Sequence, residues 1–333
     1  GIRLEDPGVT LVAQRGTYFQ NQDSVIFKEK VQIADTAQYA EGDSLFINRR
    51  TEFLQLYSNI LVADSTNNGL LTGDFLEADS TGRRFVDGNS YVRRISADTT
   101  DTTHITSDQT LLIEQDSTNL IRSYGNVKVF GSSFSSVSDT LLYDSSTELF
   151  ELQSNPIAWH KNIQLIGPYI SVQMDSNDVK QLISYHQTIA VQEDSVTERL
   201  HQIKGDTLIT DFSKGNISKI KIYPNSQVLY HTQNDQGEPD GAVEYNSPQT
   251  IMYFKEGELQ RVVAQKNNGY FFEEFEGLAD RKLDGFSWNP ELRPRRPMKL
   301  VKPRFSPVAK ERPFELPARY LDYVDKGLVE IKN

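Results

Sequence analysis

The sequence predicts an all-β fold, on three observations. Apolar and polar residues alternate with period two in stretch after stretch. In "ELFELQ", Phe150 and Leu152 point one way and Glu151 and Gln153 the other. Turn-forming clusters such as "DSST", "DSTNN", "DSND" and "NDQGEPDG" separate these stretches. No helical pattern of ten residues occurs before Phe275.

The elements follow one another as copies of a single phrase. Gly or Ser is followed by Asp, an alternating apolar run, a polar turn and a second run, often with an Asn before a third. The phrase starts at Gly42 ("GDSLFINRRTEFLQLYSNILV"), Gly73, Ser107, Ser138 and Gly205, and in degenerate form at Gly167 and Ser247. The starts lie 29 to 42 residues apart, within the range of repeat architectures. "NVKVF" sets Val127 and Val129 across Lys128, and "SKIKIYP" alternates Ile220 and Ile222 with Lys219 and Lys221. Each strand therefore has one apolar face to bury. Periodicity alone favours a closed core over an open trough between two sheets.

Residues from about 277 onward read differently. Seven of the 13 prolines fall between Pro290 and Pro317, which forbids a ladder and favours extended, poorly packed chain. The expected division is a repeat domain over 1–276 and a proline-rich basic arm over 277–333, with "PARYLDYVDKGLVEIKN" as a short terminal helix. Residues 281–333 hold 13 Lys or Arg against 7 Asp or Glu, and this surplus of six, set against a total of −11, leaves −17 for the rest. Arg293, Arg295, Arg296, Lys299, Lys302 and Arg304 form a cluster suited to phosphates, to a protein partner or to docking back onto the chain itself. A solvated linker fits the same residues. Phe286 and Trp288 precede the cluster as anchors.

Composition removes several functions. With 333 residues, 37% apolar and 24% charged, the chain is long enough for two domains or one repeat array. No run approaches the ~18 apolar residues of a membrane helix. Gly1 is not a natural initiator, so any secretion signal is expected to be already removed. The absence of cysteine excludes disulfides, thiolate metal sites and cysteine nucleophiles, without fixing the compartment. The net negative charge argues against nucleic acid.

Catalytic chemistry is equally hard to place. Asp43, Asp74, Asp139 and Asp206 recur once per repeat, whereas a hydrolase needs one special pair; they read as Asx-type caps where strands begin. His104, His160, His186, His201 and His231 have no metal-ligand spacing. "NDQGEPDG" (234–241) reads as a surface hairpin, since it lacks the spacing of a calcium loop. There is no G-x-S-x-G elbow. No enzyme activity, metal or cofactor is expected.

The units "YGNVKVFGSSFSSVSDTLLYD" and "LQSNPIAWHKNIQLIGPYISV" resemble the repeat of OstA/LptA-type periplasmic lipopolysaccharide-transport proteins. Gly125, Asn126, Val127 and Val129 match the first half of that phrase. Ser138, Asp139, Leu141 and Tyr143 match the second, with Ser in place of Gly. The Ser- and Asp-rich turns and "LDGFSWNPELRP" resemble the larger Bacteroidetes-type OstA-like proteins, and the likeness covers most of residues 10–290. It implies an elongated, semi-open β-jellyroll whose two facing antiparallel sheets form a V. It also implies a periplasmic location, a non-enzymatic role in lipopolysaccharide export, acyl chains of lipid A held between the sheets, partners in the inner and outer membranes, and head-to-tail self-association.

On that reading the groove is lined by Leu45, Ile47, Leu54, Leu56, Ile60, Val62, Leu111, Ile113, Val127 and Val129. Leu141, Tyr143, Phe150, Leu152, Ile157, Trp159, Ile220, Ile222, Val228 and Tyr230 complete the set. Two other readings stay open. One is a β-solenoid adhesin or scaffold with a fully packed interior. The other is a β-helix lyase or hydrolase, which needs a localised cluster of carboxylates and bases.

Overall fold

The computed structural model describes residues 1–296 except 7, 65–68, 96–101, 116–117, 176–177 and 257. Among these residues lie twenty-three strands and three short 3-10 turns, so the fold is all-β. None of the described helices is long and apolar enough to cross a membrane. The expected terminal helix lies outside the described residues. Packing separates residues 1–131 from residues 132–295.

The first unit holds β1 (Ile2–Asp6), β2 (Val9–Ala13), β3 (Arg15–Phe19), β4 (Ser24–Ala34) and β5 (Gln38–Asn48). It continues with β6 (Phe53–Asp64), β7 (Gly69–Ala78), β8 (Arg83–Ile95), β9 (Thr102–Gln115) and β10 (Thr118–Phe130). From β4 to β10 it is an antiparallel meander, and each of its ladders skips a residue near mid-strand. Lys28 pairs with Ser44 but Val31 with Gly42, and Tyr57 pairs with Phe75 but Ile60 with Gly73. An extra residue on one strand bends it.

The bend explains the repeated phrase. Even-numbered strands turn the corner on two successive left-handed residues: Glu29 and Lys30, Ser58 and Asn59, Gly88 and Asn89, Gly125 and Asn126. Left-handed backbone is costly for most side chains and least so for Gly and Asn. Odd-numbered strands cross the same line at Gly-Asp or Ser-Asp. A Cβ on Gly73 would stand 2.3 Å from Val86 Cγ1, so only hydrogen fits. The following Asp accepts a hydrogen bond from the corner Asn of the next strand: Asn59 to Asp43 at 2.9 Å, Asn89 to Asp74 at 2.7 Å, Asn126 to Asp108 at 2.9 Å and, in the second unit, Asn225 to Asp206 at 2.8 Å. These aspartates are therefore not caps at strand starts. They sit in mid-strand, where they tie adjacent corners together.

The second unit holds β11 (Ser135–Asp144), β12 (Leu149–Gln153), β13 (Ile157–His160), β14 (Ile163–Ile166), β15 (Tyr169–Asp175), β16 (Asp178–Glu193) and β17 (Leu200–Ser213). After these come β18 (Asn216–Tyr223), β19 (Ser226–Gln233), β20 (Pro239–Ser247), β21 (Thr250–Lys255), β22 (Glu258–Ala264) and β23 (Asn268–Glu273). Here the corners divide the strands between two layers. One half of β11 pairs with β12 and the other with β13; β16 divides between β15 and β14, and β17 between β18 and β19. The first layer runs β11, β12, β15, β16, β17, β18, β21, β22. The second runs β11, β13, β14, β16, β17, β19, β20, β23.

The basic, proline-rich stretch begins as packed chain, not as a loose tail. Residues 278–293 cross the outer face of the second layer as a strap. Gln202 donates to Arg281 O (3.0 Å) and accepts from Leu283 N (2.8 Å). Gln164 does the same with Ser287 O and Asn289 N, both at 2.8 Å. Leu278 and Leu283 pack on Leu229 and Ala242. Spanning from β20 to β11 takes about 30 Å at ~4.8 Å per strand, well within reach of a 16-residue segment.

Candidate functional site

Opposed residues in an antiparallel ladder share a face, so the register sorts each side chain to the inside or outside. In the first layer of the second unit one inward row reads Leu141, Leu152, Ile170, Ser184, Leu208, Ile222, Thr250, Ala264. The next reads Tyr143, Phe150, Val172, Leu182, Thr210, Ile220, Met252, Val262. Every member is buried until the last strand, where Val262 is 40% exposed. In the second layer the inward rows end similarly, one at Val228, Tyr245 and Gly269, the other at Tyr230, Val243 and Phe271. Phe271 is 57% exposed.

Where the two layers end, a cleft of about 610 Å³ opens between them. It is lined by Val243, Tyr245, Val262, Ala264, Tyr270 and Phe271 among others. Among the described residues β22 pairs only with β21, and β23 only with β20. The cleft therefore lies beside two free strand edges.

Aromatic rings pack at the opposite end. Phe134, ahead of β11, meets Phe150 edge-on at 5.1 Å, and Phe150 lies tilted against Tyr143 with ring centroids 4.3 Å apart. Between the two ends the far rims of the layers touch. The His160 ring lies 4.7 Å from Phe212, and Lys161 Nζ donates to Asn216 Oδ1 at 2.7 Å. The second unit is thus a slot with an aromatic back, a bridged side and an open mouth.

The first unit has equivalent inward rows, Phe27, Leu45, Leu56, Leu76, Val86, Thr110, Ser123 in one half and Ile33, Ala40, Val62, Leu71, Val92, Ile105, Val129 in the other. Leu45, Leu56, Ile60, Val127 and Val129 are buried, and Ile47, Leu54 and Val62 are half-buried.

Four residues expected in the groove do not face it. Leu111 and Ile113 lie on the outer face, opposite Phe85 and Arg83, because Thr110 and Leu112 take the inward positions. The run "TLLIE" offers three apolar residues in a row, and only the register decides between them. Ile157 and Trp159 also face outward, in rows shared with Lys204, Gln164 and Gln202 beneath the strap. The remaining members face inward; Leu141, Tyr143, Phe150, Leu152, Ile220, Ile222 and Val228 are buried, and Tyr230 is half-buried at the rim.

Of the basic cluster, Arg293 donates to Ser135 Oγ (3.2 Å) and Lys161 O (2.6 Å), an internal contact rather than a free hand for phosphate. Arg295 and Arg296 are exposed. Lys299, Lys302 and Arg304 lie outside the described residues.

The inner rim carries polar groups that spacing does not reveal. The His201 ring stacks on Tyr230 at 4.1 Å and 10°, Asp194 lies 3.8 Å away, and His231 N donates to His201 Nδ1. Burial, which outweighs the Asp194 charge, pushes the His201 pKa down to about 4. Burial likewise lowers His160. Among the described residues no three His, Asp or Glu side chains group as a metal site. The 234–241 segment links β19 to β20 as a hairpin, with Asn234 Oδ1 accepting from Gln236 N and Glu238 N.

No family model matches the sequence, nor does any curated protein. Among solved structures the chain is similar to LptH of Pseudomonas aeruginosa, described as the LptA-homologous periplasmic component of the lipopolysaccharide transport device. The two share 9% identity over 44% of this chain and 82% of that one, with a TM-score of 0.26. At that level the likeness carries no weight for function, which rests on this chain's own residues.

Proposed function

We propose that the chain is a non-enzymatic carrier of lipid acyl chains that works in the periplasm during lipopolysaccharide export. One observation carries the reading: the inward rows, apolar but for a few buried hydroxyls such as Ser184, Thr210 and Thr250, run across successive strands and end in an exposed mouth at Val262 and Phe271. The mouth's volume falls within the range of small-ligand sites, about 300–1,000 Å³. Burial of alkyl chain is worth ~0.8 kcal/mol per CH₂, so ten methylenes supply about 8 kcal/mol without any directional contact. A surface of this kind holds a chain yet lets it slide, as a conduit requires. The free edges of β22 and β23 suit pairing with a further sheet, in a transport partner of either membrane or a second copy of the chain.

A second reading is a scaffold with a packed interior. It is favoured by the near-zero exposure of Leu141, Leu152, Ile170 and Ile222.

Photo-crosslinking distinguishes them. Benzoylphenylalanine at Val262, Phe271 or Val129 captures lipopolysaccharide in a Gram-negative host on the carrier reading, whereas at Lys128 or Glu151, on the outer face, it does not. Equal capture at both parities contradicts the carrier.

A further inference from the structure

Among the described residues, side access to the slot of the second unit is barred where the rims of the two layers meet. The second layer contributes His160 and Lys161, at the end of β13. The first contributes Phe212, Gly215 and Asn216, at the turn from β17 to β18.

The chemistry of this bridge is poor. His160 Nδ1 lies 2.6 Å from Ser133 O, while Nε2 lies 3.3 Å from Gly215 O. Both neighbours are carbonyl acceptors, and a neutral imidazole has one N–H to give. The shorter contact takes it, so Nε2 turns a lone pair toward Gly215 O. Burial favours this neutral form. Among the described residues, what remains across the rim is one ring contact and one hydrogen bond from Lys161, which is exposed. An exposed bond of that kind competes with water and contributes little.

Each side of the bridge is nonetheless firmly mounted. On one side β13 pairs with β11 and β14, and Arg293, at the end of the strap, adds bonds to the carbonyl of Lys161 and to Ser135 Oγ. On the other side β17 pairs with β16, β18 and β19. Rigid rims joined by a weak contact part at that contact.

Resting on the carrier reading, we propose that His160 and Lys161 against Phe212 and Asn216 form a clasp, and that an acyl chain enters the second unit sideways when it opens. Phe212 and His160 then become the first side chains the incoming chain meets.

The absence of cysteine makes a direct test possible. In the full chain, Lys161→Cys with Asn216→Cys is bridged by a bismaleimide whose spacer contains a disulfide, and reductant later cuts the spacer. Loading is followed with a dansyl-labelled undecanoic acid. The clasped protein is expected to load at least about tenfold more slowly than the same protein after reduction. The two single-cysteine variants carrying the reagent should load like the reduced form, and unchanged Trp fluorescence confirms that the clasped protein is folded. Equal rates before and after reduction overturn the clasp while leaving the carrier intact, with loading through the mouth. No loading by any form overturns the carrier reading and the clasp with it.

Discussion

Gly205 offers the sharpest test of how the corners are built. A Cβ there would stand 2.3 Å from Ile222 Cγ2 and 3.4 Å from Pro224 O, although the backbone of Gly205 is one any residue adopts. On conformational entropy alone Gly205→Ala stabilises by about 0.4–1 kcal/mol. The contact reverses the sign, because Ile222 is fully buried and has nowhere to move; overpacking of this kind costs about 1–3 kcal/mol. Ile222→Ala alone costs ~2–5 kcal/mol through the cavity it leaves. In that background the methyl added at position 205 enters vacated space, so Gly205→Ala becomes neutral or stabilising. The two substitutions should therefore be coupled by about 1–3 kcal/mol, with the double variant better than the sum of the singles. Urea unfolding followed by Trp fluorescence reads this unit selectively, since the only tryptophans, Trp159 and Trp288, both belong to it. Additive effects would refute the claim that the corner is closed by this contact.

Other outcomes follow from the same geometry. Asn225 combines φ +60° with the bond to Asp206; Asn225→Ala should cost about 1–2 kcal/mol by urea midpoint, and Asn225→Gly less, because glycine keeps the left-handed backbone free of strain. His201 is neutral when folded, with a pKa near 4 against an ordinary 6.5. Its contribution is complete above pH 6.5 and is lost as pH falls from 6.5 to 4, by roughly 3 kcal/mol. His201→Phe, which keeps the stack on Tyr230, should flatten the urea midpoint across that window. Gln202→Ala removes two bonds to the strap and should raise amide exchange in β23, where Phe272 packs against the strap cluster and beneath Arg281 at 4.2 Å. Gln164→Ala, at the strap's other end, should leave β23 protected.

The alternation that makes the fold legible fails where a strand is buried on both faces. "ELFELQ" and "SKIKIYP" are wet on one side, and their inward residues can be read directly. "NPIAW" and "TIAVQ" are apolar at consecutive positions because the strap covers the outer face of that layer, so parity gives no guide to the side that Trp159 takes. The prolines obscure the strap itself. They rule out a strand but not a segment held by the amides of Gln164 and Gln202, which lie 79 to 125 residues from their partners. The Gly-Asp and Asn positions stand out as a phrase, yet their pairing depends on a register that brings together residues 15 to 19 apart. His201 and Tyr230 likewise meet only through the ladder of β17 and β19.

The claim at the centre of this account is that the inward apolar rows receive hydrocarbon from outside the chain. Native mass spectrometry of the protein purified from a Gram-negative host without detergent measures this directly. A carrier gives, beside the bare polypeptide, a species heavier by one lipopolysaccharide that Val262→Asp depletes. A bare mass alone, unchanged after incubation with purified lipopolysaccharide, would mean that the rows are ordinary core.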